Sequence, residues 1–133
     1  MRRKATGTLT PFLTFGVIGV VGYGVDIGVL HLVHPVAGEY AGRLLSFLAA
    51  MSVTFVLNRA ITFRHAGPRG LGHARQWARY GLANAVGGAC NLAIYAMLVA
   101  AVTFFADNLW AAVAAGSLVG WIINFALSRR FVF

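Results

Sequence analysis

The chain has 133 residues, 59% of them hydrophobic and only 11% charged, with a formal net charge of +8. Soluble domains carry about 25% charged residues, so this composition excludes an ordinary soluble fold: there is too little polar surface to cover one small core, and lipid must do the covering. The basic residues sit at the ends of apolar segments rather than among polar ones, which excludes nucleic acid as a partner and reads as topology signal and headgroup contact.

In chain order, Arg2, Arg3 and Lys4 precede an apolar run that imitates a secretory signal. The run stays apolar to about Val33 without a small-residue cleavage pattern, so it is expected to be a retained first span. A helix crosses the hydrocarbon core with about 20 residues. The sequence therefore predicts an all-α integral membrane protein of four transmembrane helices, at about 12–33, 42–59, 78–104 and 109–128, in one domain over 1–133. His34-Pro35 with Gly38-Glu39 is expected to stop the first helix, Gly67-Pro68-Arg69-Gly70 to separate the second from the third, and Asp107-Asn108 to make a tight reversal. Only the middle connection, about 64–77, is long enough for a polar loop. The single cysteine, Cys90, rules out a disulfide framework.

Arginine and lysine set the expected orientation. Arg2, Arg3, Lys4, Arg59, Arg64, Arg69, Arg75, Arg79, Arg129 and Arg130 fall on one side of a four-span arrangement, leaving Arg43 alone on the other. By the positive-inside rule both termini and the middle loop are cytoplasmic, in a multi-pass protein of the inner (cytoplasmic) membrane. Trp77 and Tyr80 at the inner end, and Tyr40 and Trp110 at the outer, stand where interfacial aromatic belts belong.

The chain also repeats itself. A shift of 70 lays 55–63 onto 125–133, with Phe55, Leu57, Arg59 and Phe63 matching identically; a shift of 65 lays Phe15-Gly16 on Tyr80-Gly81, Gly19 on Asn84, Gly22 on Gly87 and Asp26 on Asn91. The unit is two helices long. Copies that both start and end inside are parallel repeats about an axis along the membrane normal.

Few residues can carry chemistry. Asp26 is the only carboxylate inside a predicted span, and an ionisable residue there is a functional candidate by default. Helical steps of three and four put Gly19, Gly22 and Asp26 on one stripe and Asn84, Gly87 and Asn91 on its equivalent. Two such stripes facing each other make either a tightly packed interface or a narrow polar seam. Thr54 with Asn58, and Asn124 with Ser128, lie one turn apart and lead into Arg59 and into Arg129-Arg130. A guanidinium at the cytoplasmic interface suits a lipid phosphate bidentately; the same arginines would also serve by snorkelling to ordinary headgroups. His31, His34 and Glu39 make no convincing ligand set, so no metal and no cofactor is expected. With no phosphate loop and no nucleophile constellation, neither is catalysis.

These residues carry a family resemblance. Phe55-Val56-Leu57-Asn58-Arg59-Ala60-Ile61-Thr62-Phe63 is similar to the pattern of the GtrA-like family of small membrane proteins, in which Leu-Asn-Arg and a variable residue are followed by Trp-Thr-Phe; here Ile61 replaces the common tryptophan. Phe15 to Gly19, and Asn124-Phe125 through Phe133, also resemble it, so that the likeness covers about 12–133. The resemblance implies movement of polyprenyl-phosphate-linked sugars, such as undecaprenyl phosphate glucose, to the outer leaflet for modification of O-antigen, teichoic acid or other envelope polysaccharides.

Together the readings describe a flippase that is not an enzyme. The lipid phosphate docks on Arg59, Arg129 and Arg130 with Asn58, and the sugar follows a polar route along Asp26, Asn84, Asn91, Asn124, Thr54 and Ser128, while the prenyl tail stays among membrane lipids. Four helices enclose little, so a homo-oligomer, preferably a dimer, is expected. Two alternatives stand beside it: a proton-coupled exporter of the small multidrug-resistance type using Asp26, and a non-transporting anchor for a membrane glycosyltransferase, docked on the basic loop of 64–79.

Overall fold

The computed structural model describes residues 7–64 and 72–133, and among them every regular element is helical. Helix α1, Leu9–Leu57, runs into a wide turn at Asn58–Thr62; α2, His73–Ala101, is followed by the short α3, Thr103–Asp107; α4, Leu109–Leu127, runs into a second wide turn at Ser128–Val132. The chain divides into two compact units, Met1–Pro68 and Arg69–Phe133. Three helical runs, Leu9–Thr62, His73–Ala101 and Leu109–Val132, are long and apolar enough to cross a membrane. Large apolar side chains such as Leu32, Val36, Tyr40, Leu82 and Trp110 lie exposed along them. In hydrocarbon every backbone N–H and C=O must be satisfied within the segment, which helices alone achieve here. This is a multi-pass membrane protein.

Helix α1 is not one rod. At about 1.5 Å per residue its 49 residues would span about 74 Å, far beyond a hydrocarbon core of about 30 Å. Gly38, with φ 78° and ψ −173°, breaks it into limbs 9–37 and 39–57. That conformation is open to glycine because it has no Cβ. Of the expected stop at His34-Pro35 with Gly38-Glu39, the glycine holds and the proline is corrected. Pro35 lies within the helical run, since a proline near a helix end removes one hydrogen bond without reversing the chain. Gly38 makes the reversal. The limbs fold back on each other: Gly42 lies against Leu30, Val33 and His34, and Gly22 against Thr54.

The second unit turns differently. Helix α2 starts at His73, five residues before the expected 78, and ends at Ala101 rather than 104, so 73–77 belong to a helix and not to the loop. The remainder of that loop at 65–71, with the Gly67-Pro68-Arg69-Gly70 break, lies outside the described residues, as do Arg2, Arg3 and Lys4. The reversal expected at Asp107-Asn108 takes two corners. Val102 is extended (φ −129°, ψ 116°), as suits a β-branched residue, and Asn108 bends again (φ −130°, ψ 71°). The Asn108 side-chain amide donates to the Phe104 carbonyl at 2.9 Å across α3.

Both units pack along rows of small residues four apart. Gly42, Ser46, Ala50, Thr54 and Asn58 are buried in the first, and Ala112, Gly116, Gly120 and Ser128 in the second. Such rows form the ridges and grooves that let helices approach closely. A methyl group at Gly22 would overlap Thr54, and one at Gly87 would overlap the Asn124 amide. These are equivalent positions of the repeat. Phe15 and Phe63 meet edge to face at 6.2 Å between ring centroids, and Tyr80 and Phe133 at 6.0 Å. The repeat visible as letters is thus a repeat of helix pairing.

Candidate functional site

The site is built at the end of each hairpin where the second helix unwinds. The Phe63 N–H donates to the Asn58 carbonyl at 2.8 Å, and the Phe133 N–H to the Ser128 carbonyl at 2.9 Å. Each bond spans five residues instead of four, which widens the last turn into a π helix; such turns are frequent at functional sites. The wider turn keeps Asn58 and Ser128 buried while Arg59, Arg129 and Arg130 stay exposed, and it returns Phe63 and Phe133 to their ring partners. A polar residue inside and arginine outside is therefore the common plan.

Within the first turn the Thr62 hydroxyl donates to Asn58 Oδ1 at 2.8 Å. In the second, Val132 occupies that place, and Ser128 Oγ is buried with no hydrogen-bond partner among the described residues, as is Asn124 Oδ1 one turn earlier. Buried polar atoms of this kind carry a desolvation cost that a ligand hydroxyl would relieve. The Arg129 guanidinium lies 6.0 Å from the Phe125 ring centroid and that of Arg130 5.6 Å from Phe131, distances at which the ring face attracts the cation.

Two residues that sequence reading missed hold the second turn. Gln76 donates to the Val132 carbonyl at 2.9 Å and Arg79 to the Phe131 carbonyl at 3.2 Å, both from the first turns of α2. The repeat could not announce them, because a shift of 65 puts Pro11 and Thr14 at the corresponding places.

The predicted polar route is distributed over the two units. Thr54 is buried beside Gly22, with its hydroxyl donating to the Met51 carbonyl at 3.0 Å. Asn91 packs against Gly116 and Gly120, and Asn124 against Gly87, so these two asparagines share the α2–α4 interface. Asn84 instead donates to the Tyr80 carbonyl of its own helix at 2.9 Å. The two glycine-polar stripes do not need each other: Gly22 meets the second limb of α1, Gly87 meets α4, and Gly19 has open space beside it.

Asp26 has a partner the sequence reading set aside. Arg43 Nη1 donates to both of its carboxylate oxygens at 2.7 Å. The Asp26 side chain is 13% exposed and that of Arg43 60%. The one basic residue that the charge count set apart is thus the counter-ion of the one carboxylate expected inside a span. His31 Nδ1 is hydrogen-bonded to the Ile27 carbonyl at 2.9 Å, and among the described residues no group of His, Cys, Asp and Glu is arranged to hold a metal.

Compared with known proteins, residues 14–133 match the family described as GtrA/DPMS, transmembrane domain. The chain belongs to this family. The match runs across both hairpins and includes both π turns. No curated protein and no solved structure gives a significant match. Membership points to a role in the handling of lipid-linked sugars.

Proposed function

We propose that this GtrA/DPMS-type chain flips a polyprenyl-phosphate-linked sugar across the cytoplasmic membrane, for synthesis or modification of envelope polysaccharide. In this reading the two limbs of α1, with α2 and α4, are four spans, both termini are cytoplasmic, and the protein acts as a carrier, not an enzyme. The observation that supports it best is the duplicated turn, a buried Asn58 or Ser128 beside exposed Arg59 or Arg129-Arg130. A planar fork of donors on a wide turn fits the two non-bridging oxygens of the lipid's phosphate bidentately. The polar atoms of Asp26, Thr54, Asn91 and Asn124 then give the sugar hydroxyls partners, which hydrocarbon cannot, where each unsatisfied polar group costs several kcal/mol. Asn84, tied to its own helix, drops to a minor place in the route. Because each hairpin buries few residues, the reading includes a homodimer.

The proton-coupled exporter is the weaker reading, since a carboxylate already neutralised by Arg43 at 2.7 Å offers no free charge to a cationic drug. The test uses the chain reconstituted into liposomes with a fluorescent undecaprenyl-phosphate sugar, following appearance in the second leaflet by dithionite quenching. The expected result is protein-dependent exchange that falls about tenfold or more when Arg59, Arg129 and Arg130 are all changed to Gln, the loss of charge-assisted phosphate contacts. Equal exchange in empty liposomes would remove the proposal.

A further inference from the structure

The Asp26–Arg43 pair leaves most of the guanidinium unused. Nη1 alone serves both carboxylate oxygens, so Nη2 and Nε remain as donors with no hydrogen bond to another described residue. The enclosed member is the carboxylate and the exposed member is the arginine, 13% against 60%, which turns the donor-rich edge outward. Leu44, Leu45 and Tyr40 around it are also exposed. A cationic fork set in an apolar surface is therefore presented at the Gly38 end of the first hairpin.

Its place along the limb matters. Arg43 comes 16 residues before Arg59, about 24 Å along a helix rising about 1.5 Å per residue. The hydrocarbon core is about 30 Å thick, and snorkelling side chains make up the remainder. One limb thus carries a guanidinium at each end of a membrane crossing.

We propose that Arg43 is a second phosphate-binding site, which takes the phosphate of a polyprenyl lipid on Nη2 and Nε while Asp26 holds Nη1. It rests on the transport reading above and adds a receiving site at the far end of the limb from the Asn58–Thr62 π turn. The second hairpin has Val113 at the equivalent position, so the site occurs once per chain. Asp26 is a positioning residue: it fixes the guanidinium plane and lies on the opposite edge from the phosphate.

The experiment is native mass spectrometry of the full chain in detergent, titrated with undecaprenyl monophosphate. A chain with Arg59, Arg129 and Arg130 all changed to Gln is expected to retain a lipid adduct, and adding Arg43→Gln to lower its occupancy about tenfold, as for loss of one bidentate charge-assisted contact. Arg43→Lys, which keeps the charge beside Asp26 without the fork, is expected to bind less than the parent at an unchanged melting temperature. Asp26→Asn separates binding from structure: with the plane no longer fixed but the phosphate edge intact, occupancy is expected to fall only in part and by less than in Arg43→Gln, whereas a fall as large as in Arg43→Gln would make the ion pair merely structural and overturn the proposal. Occupancy left unchanged by Arg43→Gln would overturn it as well. So would an equally strong Arg43-dependent adduct with phosphatidylglycerol, which would assign the site to ordinary lipid headgroups, or displacement of the lipid by millimolar inorganic phosphate, which would assign it to a free ion. Failure of the wild-type chain to bind undecaprenyl monophosphate at all would sink this proposal together with the transport reading. Binding that depends on the cytoplasmic arginines and ignores Arg43 would leave the transport reading standing and sink this one alone.

Discussion

The two hairpins agree at their π-turn ends and differ at their tips. Near the turns they share a ring pair, a glycine pressed on a polar side chain, and a buried polar residue followed by arginine. At the tips, the first has a single glycine turn and an ion pair, while the second has a two-cornered reversal and an amide. The likeness lies where the repeated chemistry is. The differences teach that one backbone plan tolerates either a charged pair or a neutral amide in the same span, provided that each polar group finds a neighbour.

The largest effect is expected from forcing the second hairpin to resemble the first. Asn91→Asp would place a carboxylate against Gly116 and Gly120, with Val113 where the first hairpin has Arg43, and insertion scales put an uncompensated charge at about 2.5–3.5 kcal/mol. The midpoint of denaturant unfolding in mixed micelles should fall by a corresponding amount and recover in part when Val113→Arg is added. An unchanged midpoint would show that the two tips are interchangeable after all.

Next comes the glycine turn. Gly38→Ala imposes a Cβ on a glycine-only conformation, at about 1–3 kcal/mol, whereas alanine at Val102 or Asn108 meets no positive φ. Thermal melts of the three variants should separate Gly38→Ala from the other two.

Packing at the shared end follows. Gly87→Ala overlaps the Asn124 amide and should destabilise by about 1–2 kcal/mol through overpacking. Gly88→Ala, with open space beside it, should gain up to about 1 kcal/mol from helix propensity. Gly22→Ala and Gly24→Ala should repeat that contrast in the first hairpin. Pairs that fail to differ in sign would show that the two hairpins do not share this packing.

The smallest effect belongs to the clamp. Gln76→Ala removes one hydrogen bond to the Val132 carbonyl, about 0.5–1.5 kcal/mol. It should show as faster amide exchange at Val132 and Phe133, with no change at Phe63, whose hairpin has no equivalent glutamine.

Much of this was legible because lipid leaves few options. Apolar runs of the right length had to be helices, and the 70-residue shift predicted that Asn58 and Ser128 would hold equivalent places. The boundaries were harder. Pro35 and Gly38 are equal as turn letters, and only the backbone angle reveals which of them reverses the chain. The early start of α2 at His73 was hidden because His73, Arg75 and Gln76 look like loop chemistry, yet they form the first turn of the helix. Arg43 was read as an exception to a charge count. Its pairing with Asp26, 17 residues away, depends on how the limbs slide past each other, which the position of Gly38 decides. The π turns left no letter of their own, although the spacing from Asn58 to Phe63 and from Ser128 to Phe133 was there to be matched.

The short helix α3 has one more consequence. The first helices of the two hairpins correspond at a shift of 65 and the second helices at 70, so the later copy carries five additional residues between its paired surfaces. Thr103–Asp107 is five residues long. The whole mismatch is thus accommodated at a tip, in a single helical turn, and the register of Gly87 on Asn124 is the same as that of Gly22 on Thr54. Tips of this kind are where a chain accepts length without rearrangement. A peptide tag or a fluorescent-protein insertion placed in 103–107 would therefore report which side of a vesicle that tip faces while leaving both arginine turns intact.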